Sequence, residues 1–228
     1  MTSYLKAIVV DIDGTITYKD RSLDYAAVEI LRTLEVPVGL ATGNNLCFAQ
    51  AAFKLIGVCD IIIAENGGIV EYNKDIHILG DIKECENAFK VLKNYFDLER
   101  LDSDFRKTEI ALSRNFDVKE ASNILKNYNF KVDLVDSGFA IHIKNKKVNK
   151  GVGLKYLAKL MNLSPKEFAA IGDSVNDIEL FKESGFGIAV GNARYELKKV
   201  ADLVTEEYYG KGVVEGIKSL RLKGLFRC

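Results

Sequence analysis

Two aspartates, Asp11 and Asp13, stand two residues apart in the run DIDGT, directly after the apolar stretch Ala7–Val10. Carboxylates that face one site repel and raise each other's pKa unless a cation lies between them. A hard divalent ion with oxygen ligands meets that need, and Mg²⁺ takes one or two carboxylates together with phosphate and water. A second acidic run, GDSVND, follows the apolar Phe168–Ile171 and carries Asp173 and Asp177 at i, i+4 spacing, with Ser174 and Asn176 beside them. Between the two runs lie Thr42-Gly43, which close the apolar run Val36–Ala41, and Lys150, just ahead of Gly151.

These clusters need elements to bring them together. Short β-branched runs that end in polar residues suit buried parallel strands: Ala7–Val10, Val36–Ala41, Asp60–Ala64, Phe168–Ile171, Gly187–Val190 and Leu203–Val204. Helical spacing of apolar residues separates them over Leu23–Leu34, Asn45–Ile56, Gly151–Met161 and Asp177–Glu183. The alternation predicts an α/β fold, a doubly wound, Rossmann-like parallel sheet. Ligands of such sheets bind outside the carboxyl ends of the strands, so Asp11/Asp13, Thr42/Gly43 and Asp173/Asp177 should converge at one edge. Ile69–Tyr72 and Ile76–Leu79 flank Asn73-Lys74-Asp75 as a hairpin.

Between these stretches the pattern changes. Helical segments at Lys83–Phe96 and Val118–Tyr128 alternate with strands at Glu109–Ser113, Phe130–Val135 and Phe139–Ile143, the last two joined by Asp136-Ser137-Gly138. This predicts a smaller α+β module over residues 82–148, inserted in a core of residues 1–81 and 149–228. The basic tail Ser219–Cys228 is expected to fray. His77 and His142 stand isolated in the sequence and read as strand-surface residues.

DIDGT, ATGN at Ala41–Asn44, Lys150 and GDSVND resemble the four ordered motifs of haloacid dehalogenase superfamily phosphatases. The resemblance spans nearly the whole chain, with the insert between the second and third motifs as in members with the larger type of cap. It implies that Asp11 is a nucleophile forming an aspartyl-phosphate and Asp13 the acid and base. Thr42 and Gly43 would bind the phosphoryl group, and Lys150 would neutralise it. Asp11, Asp13 through its backbone carbonyl, Asp173 and Asp177 through water would hold Mg²⁺. Within the superfamily the short insert, Glu65-Asn66-Gly67-Gly68 and the length of 228 residues are similar to archaeal phosphoglycolate phosphatases. The implied substrate is a small phosphorylated metabolite, 2-phosphoglycolate, with Arg106, Lys107, Arg114 and Lys144 as candidates to meet its carboxylate. A sugar-phosphate phosphatase, sucrose-phosphate-like, is the alternative within the class, and a non-catalytic phospho-ligand binding module the alternative outside it.

Bulk properties narrow the partners. A formal net charge of +0 leaves no excess of Lys or Arg to neutralise a nucleic-acid backbone. No run approaches the roughly 20 apolar residues of a membrane span, and the N-terminus lacks a signal-peptide pattern, so a cytoplasmic monomer or homodimer is expected. Cys47, Cys59, Cys85 and Cys228 have neither disulfide-framework nor zinc-site spacing. The glycines after strands miss the G-x-G-x-x-G spacing of a dinucleotide site.

Overall fold

A computed structural model describes residues 4–102 and 104–226. The chain begins with β1 (Ala7–Val10), α1 (Tyr25–Arg32), β2 (Val38–Ala41), α2 (Leu46–Ile56) and β3 (Ile61–Ala64). The hairpin β4 (Ile69–Tyr72) and β5 (Asp75–Ile78) follows. A second layer comprises α3 (Ile82–Leu92), β6 (Arg100–Leu101), β7 (Ile110–Leu112), α4 (Val118–Lys126), β8 (Val132–Asp136) and β9 (Ile141–Asn145). The first pattern resumes with α5 (Lys150–Leu160), β10 (Phe168–Gly172), α6 (Ile178–Glu183), β11 (Phe186–Ala189), α7 (Tyr195–Lys198), β12 (Leu203–Val204) and α8 (Tyr209–Leu222).

The strands form two sheets. The larger has the order β12-β11-β10-β1-β2-β3-β4-β5. Six of its strands are parallel, and β4 and β5 add an antiparallel edge. Alternation along β1 explains why it is buried on both faces. Ile8 and Val10 pack with Val28, Leu31, Val213 and Ile217 of α1 and α8. Ala7 and Val9 pack with Leu154, Leu157, Leu180 and Phe181 of α5 and α6. Strand order reverses between β1 and β10, and the crevice that opens at such a point is where ligands bind. Asp11 and Asp173 follow these two strands.

The smaller sheet is antiparallel, with the order β6-β7-β9-β8. Ile110, Leu112, Ile141 and Ile143 on one face meet Cys85, Phe89, Leu92, Ala121 and Leu125 of α3 and α4. The opposite face carries Ala111, His142 and Lys144, and all three are buried.

The expected hairpin gives the parallel sheet its antiparallel edge: β4 turns back on β3, and the tight turn to β5 is made by Asn73 and Lys74, both left-handed at φ 51° and 70°. One sequence expectation needs correction. The tail is ordered through Phe226: Leu222 closes α8, and the Leu5 amide donates to Leu225 O at 2.8 Å. Gly210, Gly212 and Gly216 argue against a helix by propensity, yet the stripe Val213, Ile217, Leu220 is buried against the sheet and decides the matter. β6 is only two residues long, too short to leave a pattern. Cys47, Cys59 and Cys85 are free thiols; Cys228 lies outside the described residues. No helix among the described residues is long and apolar enough to cross a membrane.

Candidate active site

Asp11 leaves the end of β1 with its amide donating to Ile171 O of β10 at 2.9 Å, and its side chain is buried. The chain then makes one wide turn, closed by the Thr17 amide on Ile12 O at 3.1 Å. Gly14 sits in this turn at φ 79°, and a Cβ there would lie 2.5 Å from Asp173 Oδ2. Glycine therefore provides both the left-handed conformation and the room for Asp173 to approach. Thr15 Oγ1 stands 3.3 Å from Asp11 Oδ2 and 3.4 Å from Asp173 Oδ1, between the two carboxylates.

Lys150 is the first residue of α5, whose N-cap Asn149 accepts from the Val152 amide. Its side chain is wholly buried, and Nζ donates to Asp11 Oδ1 and Asp177 Oδ1, each at 2.6 Å. Asp177 Oδ2 accepts from the amides of Asp173 and Ser174 at 3.3 and 3.2 Å. These bonds, rather than a shared helix face, bring Asp173 and Asp177 together: Asp173 lies in a loop and Asp177 ends the short turn Val175–Asp177. Asp11, Asp173 and Asp177 each offer an oxygen within 4.8 Å of the others.

Two buried carboxylates and the half-buried Asp173 beside one ammonium leave negative charge uncompensated. Burial raises the Asp11 pKa well above its ordinary value; Lys150 opposes this, while Asp177 and Asp173 reinforce it. Burial and then Asp177 push Asp173 up to about 7. Burial alone would depress Lys150, but Asp11 and Asp177 outweigh it and hold the ammonium above its usual range. All-oxygen donors short of positive charge fit a hard divalent cation, and Mg²⁺ suits the set.

The Asp13 side chain stands apart from this cluster. Arg21 Nε donates to its Oδ1 at 2.8 Å and Asn44 Nδ2 to its Oδ2 at 2.5 Å. The expected Asp11/Asp13 carboxylate pair is thus divided, one turned to Lys150 and the other to Arg21. Thr42 is buried, and its Oγ1 accepts from the Asn44 amide and Asn44 Nδ2 at 3.0 and 3.1 Å, leaving its hydroxyl proton to donate elsewhere.

A cavity of about 90 Å³ joins these residues to the smaller sheet, with Asp11, Asp13 and Asn44 on one side and Arg106, Phe139 and His142 on the other. Arg106 Nη1 donates to Gly43 O at 2.9 Å and to Glu109 Oε1 at 2.5 Å. His142 is buried and its Nδ1 lies 2.7 Å from Glu109 Oε1, so it is neither isolated nor a surface residue. Burial raises the Glu109 pKa, but His142 first and then Arg106 more than offset it and hold the carboxyl below its ordinary value. Of the other candidates, Arg114 is half exposed and paired with Asp136, and Lys144 is buried with Nζ donating to Val148 O. Lys107 offers its backbone amide to Glu65.

Glu65, Asn66 and Gly67 connect the two layers. All three are left-handed, at φ 48°, 53° and 94°. The Glu65 carboxylate accepts from the amides of Lys107 and Thr108 and from Thr108 Oγ1, the last at 2.6 Å. Asn66 accepts from Asn176 Nδ2 and donates to Glu109 Oε2, both at 3.0 Å. A Cβ on Gly67 would lie 2.0 Å from Asn149 O, so only glycine lets this turn rest on the residue before Lys150.

Sequence reasoning missed Arg21, Thr15, Glu109 and His142. Alternation in Phe139–Ile143 does put His142 opposite the apolar face, but nothing local says that the opposite face is buried.

The chain matches the model of the haloacid dehalogenase-like hydrolase family over residues 8–103 and 81–217. It is 51% identical over 221 residues to a phosphoglycolate phosphatase of Methanosarcina mazei, covering 96% of this chain and 98% of that one. A phosphoglycolate phosphatase of Archaeoglobus fulgidus is 51% identical over 95% of this chain and 97% of its own. Among solved structures, protein 0175 of Thermoplasma acidophilum superposes with a TM-score of 0.87 at 22% identity, covering 96% of this chain and 99% of that chain. The sucrose-phosphatase of Synechocystis, solved with sucrose and phosphate, gives 0.74 at 20% identity, over 96% and 98%. The chain belongs to the haloacid dehalogenase-like hydrolase family. Within that family it is a phosphatase, a phosphoric monoester hydrolase.

Proposed function

We propose that the protein is a Mg²⁺-dependent phosphatase that hydrolyses 2-phosphoglycolate to glycolate and phosphate through an aspartyl-phosphate on Asp11. The observation that carries this reading is the position of Asp11, with one oxygen on Lys150 and the other beside Thr15, at the floor of a cavity whose opposite wall is Arg106 and His142. In the first half-reaction an Asp11 oxygen attacks phosphorus while Asp13 gives its proton to the departing glycolate oxygen. In the second, the Asp13 carboxylate takes a proton from water, whose oxygen attacks the same phosphorus. The Asp11 carboxylate and inorganic phosphate result. Arg21 and Asn44 each hold one oxygen of Asp13 and so fix its carboxyl at the cavity. Thr42 donates its hydroxyl proton to a phosphoryl oxygen, and Lys150 keeps Asp11 oriented as charge moves. Asp11, Asp173, the Asp13 carbonyl and, through water, Asp177 would hold Mg²⁺, which when bound supplies the positive charge this donor set lacks.

Residues 82–148 act in this reading as a cap over the core of residues 1–81 and 149–228, excluding water from the first half-reaction. The relatives in Methanosarcina and Archaeoglobus bear the name of this activity, and the small cavity favours a compact ester over a disaccharide phosphate. A screen of phosphate release over small phosphate esters with Mg²⁺ tests the reading. The highest kcat/KM is expected on 2-phosphoglycolate, with acid-stable trapping of phosphate on Asp11 after rapid quench. Preference for a sugar phosphate, or activity undiminished in EDTA, would refute it.

A further inference from the structure

The smaller sheet places a second set of unused donors across the cavity from Asp11. The Arg106 side chain is 5% exposed, and only one nitrogen of its guanidinium, Nη1, makes hydrogen bonds among the described residues. Its Nε is buried without a partner. Its Nη2 stands 3.9 Å from Asp102 Oδ2, beyond hydrogen-bonding reach. Nε and Nη2 form one edge of the guanidinium fork, with two parallel N–H groups, and that edge matches a carboxylate in bidentate geometry. A buried donor left unmet is unfavourable, so the orphan calls for an acceptor.

His142 extends the same wall. Its Nδ1 donates to Glu109, because a carboxylate can only accept, and that bond fixes the ring. Its Nε2 lies 3.3 Å from Ser137 Oγ. That hydroxyl sits 3.1 Å from Ala140 O, to which it donates, and it accepts from the Ala140 amide. Glu109 thus joins Arg106 and His142, both of which line the cavity; Asp102, the other carboxylate beside Arg106, stays at 3.9 Å. The set is also close to the phosphoryl pocket, since Arg106 Nη1 reaches Gly43 O, the residue after Thr42.

We propose that Arg106 and His142, both oriented by Glu109, form the subsite that reads a carboxylate on the leaving group. Arg106 receives it on its Nε–Nη2 edge, and His142 lines the wall beside it. The subsite rests on the phosphatase reading and adds to it a rule for substrates: a phosphate ester with a carboxylate one carbon from the ester oxygen. Gly43 ties Arg106 to the phosphoryl pocket, so substrates with a longer spacer should fit less well. Glu109 is a positioning residue, because it meets both binders and not the ligand.

The experiment compares 2-phosphoglycolate with ethyl phosphate, which matches it in length and lacks the carboxylate. For the wild type, kcat/KM should favour 2-phosphoglycolate. Arg106→Lys keeps a charge but loses the fork, and the preference should fall at least tenfold, mainly through KM for 2-phosphoglycolate. His142→Gln tests the second binder without touching the guanidinium and should lower the same ratio several-fold, whether or not Arg106→Lys folds. Glu109→Gln should lower it through both, a change that lost packing alone would not direct at one substrate. A wild-type preference retained in both Arg106→Lys and His142→Gln would overturn the subsite and leave the substrate reading standing. A wild type that does not distinguish the two esters would overturn both.

Discussion

The two walls of the cavity are built on opposite plans. On the core side, three carboxylates are packed beyond the ends of parallel strands, Lys150 of α5 bridges Asp11 and Asp177, and two backbone amides hold Asp177. On the other side, an antiparallel sheet presents Ala111 and the cluster of Arg106, Glu109 and His142, with Asp102 at its edge. The core wall is short of positive charge and the facing wall has guanidinium donors to spare. A phosphate ester with a second anion satisfies both. In the proposed reading the strand ends break the bond and the facing cluster chooses the substrate, tied to the core through Gly43 O and Asn66.

The contrast can be broken at several points. Asp11→Asn should abolish turnover by about four orders of magnitude or more, the scale of losing a covalent nucleophile, with circular dichroism unchanged. Near-wild-type turnover would remove Asp11 from the chemistry. Lys150→Met should act on folding as well as activity, because it leaves Asp11 and Asp177 buried without their ammonium. Breaking a buried pair this way costs about 3–5 kcal/mol, measurable as a lower denaturation midpoint that Mg²⁺ partly restores. A midpoint within error of wild type would mean that the carboxylates are already neutral.

Metal removal sharpens the comparison through pH. Asp173, and Asp11 with it, has a folded pKa above the unfolded value. In metal-free protein the native state then binds more protons than the unfolded chain between about pH 4 and pH 7, so stability falls as pH rises through that window. The melting temperature in EDTA should be lower at pH 8 than at pH 5.5 by several degrees, and saturating Mg²⁺ should remove most of the difference. A flat EDTA profile would place the neutralising charge in the protein itself. The smallest effect belongs to Arg114→Ala. Its exposed pairing with Asp136 falls in a class worth about 0–1 kcal/mol, and the kcat/KM ratio between 2-phosphoglycolate and ethyl phosphate should not move. A shift like that of Arg106→Lys would relocate the carboxylate site.

What the sequence reveals follows the same division. Asp11, Thr42 and Asp173 each end an apolar run, so their convergence is readable from strand polarity alone. Lys150 has no such local mark and is placed by the resemblance of the four motifs. Glu109 and His142 lie 33 residues apart and meet through the antiparallel pairing of β7 with β9, in which Ala111 lies opposite His142. That register, and the burial of the face carrying it, depend on a partner surface from the distant core, and no local pattern encodes them. Arg21, too, leaves no local mark: two carboxylates at i, i+2 point to one site, but the sequence does not show that the second is held by Arg21 and Asn44 rather than by Lys150. The same limit hides α8, where local glycine propensity is overruled by tertiary burial.

The left-handed turn at Glu65–Gly67 has a bearing on temperature. The joint between the two layers is made there by hydrogen bonds to one buried carboxylate, not by interlocked apolar side chains. Apolar contacts loosen on cooling, because their driving force near room temperature is entropic. Hydrogen bonds to a fixed anion do not share that dependence. A joint made in this way should depend less on temperature than the apolar cores on either side of it.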